Sequence, residues 1–235
     1  MATDYRPSLP ASGPVLLDMD GTLLDLAFDN HFWLQALPER HAREQGRSLA
    51  AARQDLQQRM RAVEGRLEWY CTDYWSRQLG FDVIALKQQM RDRIRMLPGA
   101  ADFLHRLRAG GRPTHLVTNA HPRVLDLKLR QTGLDRQVTR IFSAHEFGAA
   151  KESPRFWRSL ETELGPLRDK ACFIDDSPAV LGSARAYGLP SVIGIRQPDS
   201  TQPPRPLDGF MAVDGVGDLI TPYFSPPDES SSGTA

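Results

Sequence analysis

The stretch VLLDMDGTLLD, Val15 to Asp25, decides the fold. Three apolar residues run into Asp18, Asp20 follows two positions later, and Gly21-Thr22 comes next. A short continuous apolar run marks a strand buried on both faces, as in a parallel sheet. Strand side chains alternate, so Asp18 and Asp20 share one side while the chain stays extended. Gly21 lets the backbone turn sharply just past the second acid. Two acids at the end of a buried strand repel each other unless something neutralises them.

Working outward, similar apolar runs recur at 114–118 (THLVT), 139–143 (TRIFS), 171–175 (ACFID) and 191–195 (SVIGI). Helical patterns separate the later ones and share one grammar. Pro122 opens a helix that Gly133 stops, Ser153-Pro154 opens one ending at Gly165, and Ser177-Pro178 opens one ending at Gly188. Strands alternating with short capped helices predict an α/β fold, a Rossmann-like three-layer core on a parallel sheet. That core is expected over 14–25 and 98–197. Residues 26–97 break the rhythm. Their Gln, Arg, Ala and Leu content and 3.6-like spacing predict a helical cap inserted after the first strand, with breaks near Pro38, Gly46, Gly65 and Gly80. Residues 1–13 read as a loose leader. The chain turns Pro-rich from about 197, and the end, about 220–235, has a disordered composition.

Composition narrows the function. Twenty-nine basic and 29 acidic residues cancel, which argues against a dedicated nucleic-acid or membrane-surface binder. Two cysteines, Cys71 and Cys172, are too few for a disulfide framework, so reduced thiols and a cytoplasmic location are expected. The start lacks the apolar segment of a secretory signal, and no apolar run approaches the roughly 20 residues that cross a bilayer.

Ligands of a parallel α/β sheet bind in the crevice at the carboxyl ends of its strands. Asp18 and Asp20 end the first predicted strand, Thr118 ends the second, Lys151 follows the third, and Asp175 and Asp176 end the fourth. Four clustered carboxylates cannot all stay ionised unaided. A hard divalent cation removes the conflict, and Mg²⁺ prefers carboxylates, waters and phosphate oxygens. With Asp20 protonated, three negative charges on Asp18, Asp175 and Asp176 face three positive charges on Mg²⁺ and Lys151. A phosphate dianion can enter such a locally neutral site, which suits phosphoryl transfer. One carboxylate can attack phosphorus. Its neighbour can protonate the leaving oxygen and later deprotonate the hydrolytic water.

DMDGT, the Thr-Asn of LVTNA, Lys151 and the acids of FIDDS resemble, in order, the four motifs of the haloacid dehalogenase superfamily of phosphohydrolases. The predicted insertion resembles that superfamily's cap. The resemblance implies Asp18 as nucleophile and Asp20 as general acid/base. It implies Thr118, Asn119 and Lys151 around the phosphoryl group. Mg²⁺ would be held by Asp18, the Asp20 backbone carbonyl, Asp175 and Asp176. A closer likeness covers the cap as well: VLLDMDGTLLDLAFDNHFW, WYCTDYWSRQLG, TNAHP and FIDDSPAVL are similar to the bacterial GMP/IMP nucleotidases. It implies hydrolysis of purine nucleoside 5′-monophosphates to nucleoside and phosphate, a small-molecule substrate. The chain past about 197 shares little of it.

Several residues carry two readings. Trp33, Trp69, Tyr70, Tyr74 and Trp75 are spaced to form a helical core, and their faces also suit stacking on a purine base. Asp29 and Asn30 follow the first motif closely enough to contact ribose or base. His121 either caps the helix at Pro122 or touches phosphate. Cys172 reads as a core thiol and RDRIRM (91–96) as a solvated face. The same core motifs serve sugar-phosphate phosphatases and phosphosugar mutases. A dehalogenase needs no acid at Asp20. Receiver domains, which are phosphorylation switches, place their acid pair first rather than last.

Overall fold

The computed structural model describes residues 9–219. Val15–Leu17 forms β1, fully buried. It pairs in parallel with β2 (Thr114–Thr118) on one side and β4 (Cys172–Asp175) on the other. With β3 (Arg140–Ser143), β5 (Ser191–Ile195) and β6 (Met211–Val213), the sheet order is β3-β2-β1-β4-β5-β6, every pairing parallel. Strand order reverses at β1, so the carboxyl ends of β2, β1 and β4 border one crevice.

Alternation along β1 sends Val15 and Leu17 to one face and Leu16 to the other. The first face is covered by α7 (Ala100–Ala109) and α8 (Pro122–Thr132), through Phe103, Leu104, Leu107 and Leu125. The second is covered by α10 (Pro154–Leu164) and α11 (Pro178–Tyr187), through Phe156, Trp157, Leu160 and Leu181. This is the three-layer α/β core that the strand and helix grammar predicts. Gly133 and Gly188 end α8 and α11 in the left-handed conformation. Ser177 departs from the expected grammar: its hydroxyl makes no capping bond, and its amide instead donates to Asp175 Oδ1 at 2.7 Å.

Between β1 and α7 lie α1 (Ala27–His31), α2 (Leu37–Gln45), α3 (Leu49–Arg61), α4 (Leu67–Tyr70), α5 (Thr72–Leu79) and α6 (Val83–Gln89). They bury a core of their own around Phe32, Leu37, Leu56, Trp75, Leu79 and Val83. The expected break at Pro38 does not occur. Proline lacks an N–H and crowds the carbonyl four residues back. The chain accommodates it with a wide π-helical turn, Phe32–Ala36, and stays helical through Pro38. The insertion leaves and returns through one neck, where Asp25 N donates to Arg95 O and Leu97 N to Leu23 O, both at 2.9 Å.

Two boundaries need correction. The α/β unit does not stop at 197: β6 adds a strand, and Leu207, Val213, Val216 and Leu219 are buried. Three strand residues in a Pro- and Gly-rich setting are too few to show a period. Nor is the leader loose over residues 9–13. Leu9 joins the core, and Arg112 donates to the carbonyls of Pro10 (2.7 Å) and Gly13 (3.1 Å). Residues 1–8 and the tail expected to be disordered lie outside the described residues. Among the described residues no helix is long and apolar enough to cross a membrane.

Candidate active site

Three strand ends meet at the Lys151 ammonium. Its Nζ donates to Asp18 Oδ1 at the end of β1, to Asp175 Oδ2 at the end of β4 (2.7 Å), and to the Val117 carbonyl of β2 (3.1 Å). All three charged side chains are buried. The loop carrying Lys151 is held in turn by its neighbours. Asn119 Oδ1 accepts from Lys151 N at 2.9 Å, and Trp157 Nε1 donates to Lys151 O at 2.9 Å. Asn119 Nδ2 donates to Glu152 Oε2 (3.0 Å), whose other oxygen accepts from the Tyr70 hydroxyl (2.5 Å). Asp176 accepts from Arg205 at 2.8 Å. Gly21 has φ +86°, and a Cβ there would lie 2.7 Å from Asp176 Cγ. Glycine is therefore required twice, for the turn and for the close approach.

The electrostatics show a deficit of positive charge. Burial pushes the Asp18 carboxyl well above the usual range; Lys151 opposes this, and Asp175, Asp176 and Asp20 push it further up. Burial also raises Asp175 against the pull of Lys151, and burial plus Asp175 raises Asp176 to about 7. Lys151 itself is held charged, because its two carboxylate partners outweigh its burial. Lys151 and the exposed Arg205 together fall short of the three acids. Ligand oxygens of Asp18, Asp175 and Asp176 lie within 4.8 Å of one another. An all-oxygen set of this kind fits a hard divalent cation such as Mg²⁺.

A second ionic chain borders the site. Lys128 Nζ donates to Asp20 Oδ1 (2.6 Å) and Asp29 Oδ2 (2.5 Å), and Lys87 Nζ donates to Asp29 Oδ1 (2.7 Å). Both lysines are buried, and Lys87 lies against the rings of Phe28, Phe32 and Trp33. Burial pushes Asp29 up, but the two lysines together outweigh it and hold the carboxyl well below its usual range. Burial raises Asp20 against Lys128.

These groups line a cavity of about 440 Å³ between the insertion and the α/β unit. Asp18, Asp20, Thr118, Asn119, Lys151, Asp175, Asp176, Asp29 and Asn30 all border it. Their freedom differs. The amide of Asn119 is engaged on both atoms, Asp29 is engaged with two lysines, and Asn30 Nδ2 donates to Asp199 Oδ2 at 2.7 Å. The Thr118 hydroxyl accepts from Ala120 N (3.0 Å). Trp33, Trp69, Tyr70 and Trp75 border the cavity too, whereas Tyr74 packs edge-on against Trp75. Trp75 is fully buried, and its Nε1 donates to Trp69 O (2.9 Å), so it is core. His121 caps α8, accepting from Arg123 N at 3.4 Å.

Sequence reasoning missed Lys87, Lys128, Glu152 and Arg205. The two lysines carried a readable signal. Val83-Ile84-Ala85-Leu86-Lys87 and Val124-Leu125-Asp126-Leu127-Lys128 each put a lysine four residues after a valine, on the apolar stripe of a helix. A lysine on a buried stripe is rare unless paired. Arg205 lies past 197, where no pattern was legible.

The description of the haloacid dehalogenase-like hydrolases matches residues 15–188, and the chain belongs to that family. It is also similar, at 42% identity over 186 residues, to the GMP/IMP nucleotidase YrfG of Escherichia coli (strain K12), covering 79% of this chain and 84% of that protein. A shorter match, 28% over 100 residues, is to (S)-2-haloacid dehalogenase 4A of Burkholderia cepacia, with 43% of each chain covered. Among solved structures, a HAD phosphatase from Thermococcus onnurineus superposes with a TM-score of 0.73 at 20% identity, over 89% of this chain and 96% of that one. At that identity the superposition speaks for the fold alone.

Proposed function

We propose that this chain is a Mg²⁺-dependent phosphomonoester hydrolase that converts purine nucleoside 5′-monophosphates, GMP and IMP, to nucleoside and phosphate in the cytoplasm. The observation that carries the reading is the convergence of Asp18, Lys151, Asp175 and Asp176 on the floor of an aromatic-lined cavity. The similarity to a GMP/IMP nucleotidase supports the substrate.

Asp18 attacks phosphorus and displaces the ribose 5′-oxygen, forming an aspartyl-phosphate. Asp20 protonates that oxygen. Burial raises its carboxyl toward the acid form this step needs. Asp20 then takes a proton from the water that hydrolyses the intermediate. Lys151 and Thr118 hold phosphoryl oxygens, and Asn119 positions the Lys151 loop through its backbone amide. Asp18, the Asp20 carbonyl, Asp175 and Asp176 would hold Mg²⁺, which would supply neutralising charge to these acids and to the phosphoryl oxygens. Lys128 orients Asp20, and Lys87 and Asp29 anchor Lys128 from the insertion side. Trp33 and Trp69, each partly exposed, offer faces for the base.

The test is phosphate release with Mg²⁺ over GMP, IMP, AMP, pyrimidine nucleotides and sugar phosphates. GMP and IMP are expected to give the highest kcat/KM over many turnovers. Preference for a sugar phosphate would overturn the substrate, and a single stoichiometric phosphorylation would overturn the hydrolase.

A further inference from the structure

A cluster of soft ligands lies at the edge of the candidate site and has no role in the proposed hydrolysis. Cys71 sits between α4 and α5 of the insertion. His121 opens α8, and His145 lies on α9 (Ala144–Phe147). Cys71 Sγ and one ring nitrogen of each histidine lie within 4.8 Å of one another. The imidazoles meet edge to face, with centroids 4.9 Å apart. Three ligands of a tetrahedral ion, with bonds of about 2.0–2.3 Å, sit roughly 3.3–3.8 Å apart, a small adjustment from this spacing.

The surroundings hold the rings as ligands are held. The buried Nε2 of His145 has no hydrogen-bond partner among the described residues, so it is free to take a ligand. The His121 ring is braced by the Thr72 hydroxyl, 2.9 Å from Nδ1, and by Asp73 Oδ2, 3.5 Å from Nε2. Nδ1 also accepts from Arg123 N at 3.4 Å, so the ring carries its proton on Nε2, toward Asp73, and metal binding at either nitrogen exchanges one of these bonds for the ion. Cys71 Sγ accepts one weak bond, from Tyr74 N at 3.3 Å. Burial lowers both imidazoles, His145 to about 4, and so keeps them in the neutral form that binds metal.

We propose that Cys71, His121 and His145 form a Zn²⁺ site that fastens the helical insertion onto the α/β unit. A thiolate with two imidazoles selects Zn²⁺ over the oxygen-seeking Mg²⁺, so the two sites sort different ions. Cys71 comes from the insertion and both histidines from the α/β unit, so one ion bridges the parts that enclose the cavity. Thr72 and His121 border that cavity. Occupancy therefore raises thermal stability and slows turnover by restraining the opening that admits substrate and releases product.

The experiment uses the full chain in excess Mg²⁺. Added Co²⁺ is expected to give a thiolate-to-metal charge-transfer absorption. Cys71→Ser, which keeps an oxygen to cap α5, abolishes it. Added Zn²⁺ raises the Tm and inhibits phosphate release. Cys71→Ser and His145→Gln, shown to be folded by circular dichroism, need at least about tenfold more Zn²⁺ for the same inhibition, with Mg²⁺-supported turnover unchanged. A wild-type protein with no thiolate band, or equal Zn²⁺ sensitivity in wild type and Cys71→Ser, overturns the site. The Co²⁺ spectrum does not depend on turnover, so its outcome stands apart from that of the phosphohydrolase reading.

Discussion

The Asp18–Lys151–Asp175 cluster and the Asp20–Lys128–Asp29–Lys87 chain border the same cavity, one carried by strand ends and the other mainly by helices and their loops. Their charge balance differs. In the first, Lys151 and the exposed Arg205 face three acids once Asp176 is counted, and burial pushes each acid up. In the second, two lysines meet two acids, and Asp29 is held firmly ionised. The unbalanced cluster has room for a cation and a phosphoryl group. The second is closer to balance and holds Asp20, the proposed acid and base, in place through Lys128. The cluster at the strand ends is left short of positive charge, while Asp29 beside it is fully paired.

The largest expected effect tests the unbalanced side. Asp18→Asn keeps the shape of the side chain and removes the nucleophile, so turnover falls by about 10⁴-fold or more while the fold persists. Phosphate release near the wild-type rate would remove Asp18 from the nucleophilic role. In the balanced chain, Lys87→Met leaves Asp29 paired with Lys128, and no comparable loss of rate is expected.

Stability sharpens the same contrast. Lys151→Met strands Asp18 and Asp175 in a buried site and costs about 3–5 kcal/mol in urea denaturation without Mg²⁺. Lys87→Met removes one of two partners of Asp29 and costs about 1–2 kcal/mol. Equal losses would erase the distinction between the clusters.

The Mg²⁺-dependent part of proton linkage reports on the acid cluster. A carboxyl raised in the folded state binds a proton that the unfolded chain has already lost. Stability without metal therefore falls as pH rises from about 4 to the value near 7 reached by Asp176. Mg²⁺ takes the place of those protons, so its increment in Tm grows across that window. Buried histidines such as His145 and His115, both lowered to about 4, act with the opposite sign. They contribute equally with and without Mg²⁺ and drop out of the difference. Asp176→Asn flattens the dependence; an increment independent of pH would detach the metal from these acids.

The two regions were also unequally legible in the sequence. Strand ends of a parallel sheet converge by topology, so Asp18, Thr118, Lys151 and the Asp175–Asp176 pair could be gathered from apolar runs and their order. Lys128 and Lys87 reach the site from helix faces, and their meeting depends on how the insertion docks, which no local period encodes. Arg205 and Asp199 come from a segment whose single strand is three residues long. Asn119 was legible as a candidate but not as the group that holds the Lys151 backbone, because that role depends on a contact 32 positions away.

The smallest expected effect lies where insertion, neck and late segment meet. Asn30 borders the cavity and ties α1 to Asp199, which also accepts from the Thr201 amide (2.9 Å) and hydroxyl (2.6 Å). Nearby, Leu26 N donates to Pro198 O at 2.9 Å, so the late segment braces the neck independently of Asn30. Asn30→Ala therefore leaves the neck in place and removes polar contacts worth about 1 kcal/mol. If Asn30 reads the nucleoside, KM for GMP rises roughly fivefold, the equivalent of that energy. KM for p-nitrophenyl phosphate, which has no nucleoside to contact, stays unchanged. An equal rise on both substrates would make Asn30 part of the scaffold, a brace between insertion and late segment, and would extend the satisfied side of the cavity to its mouth.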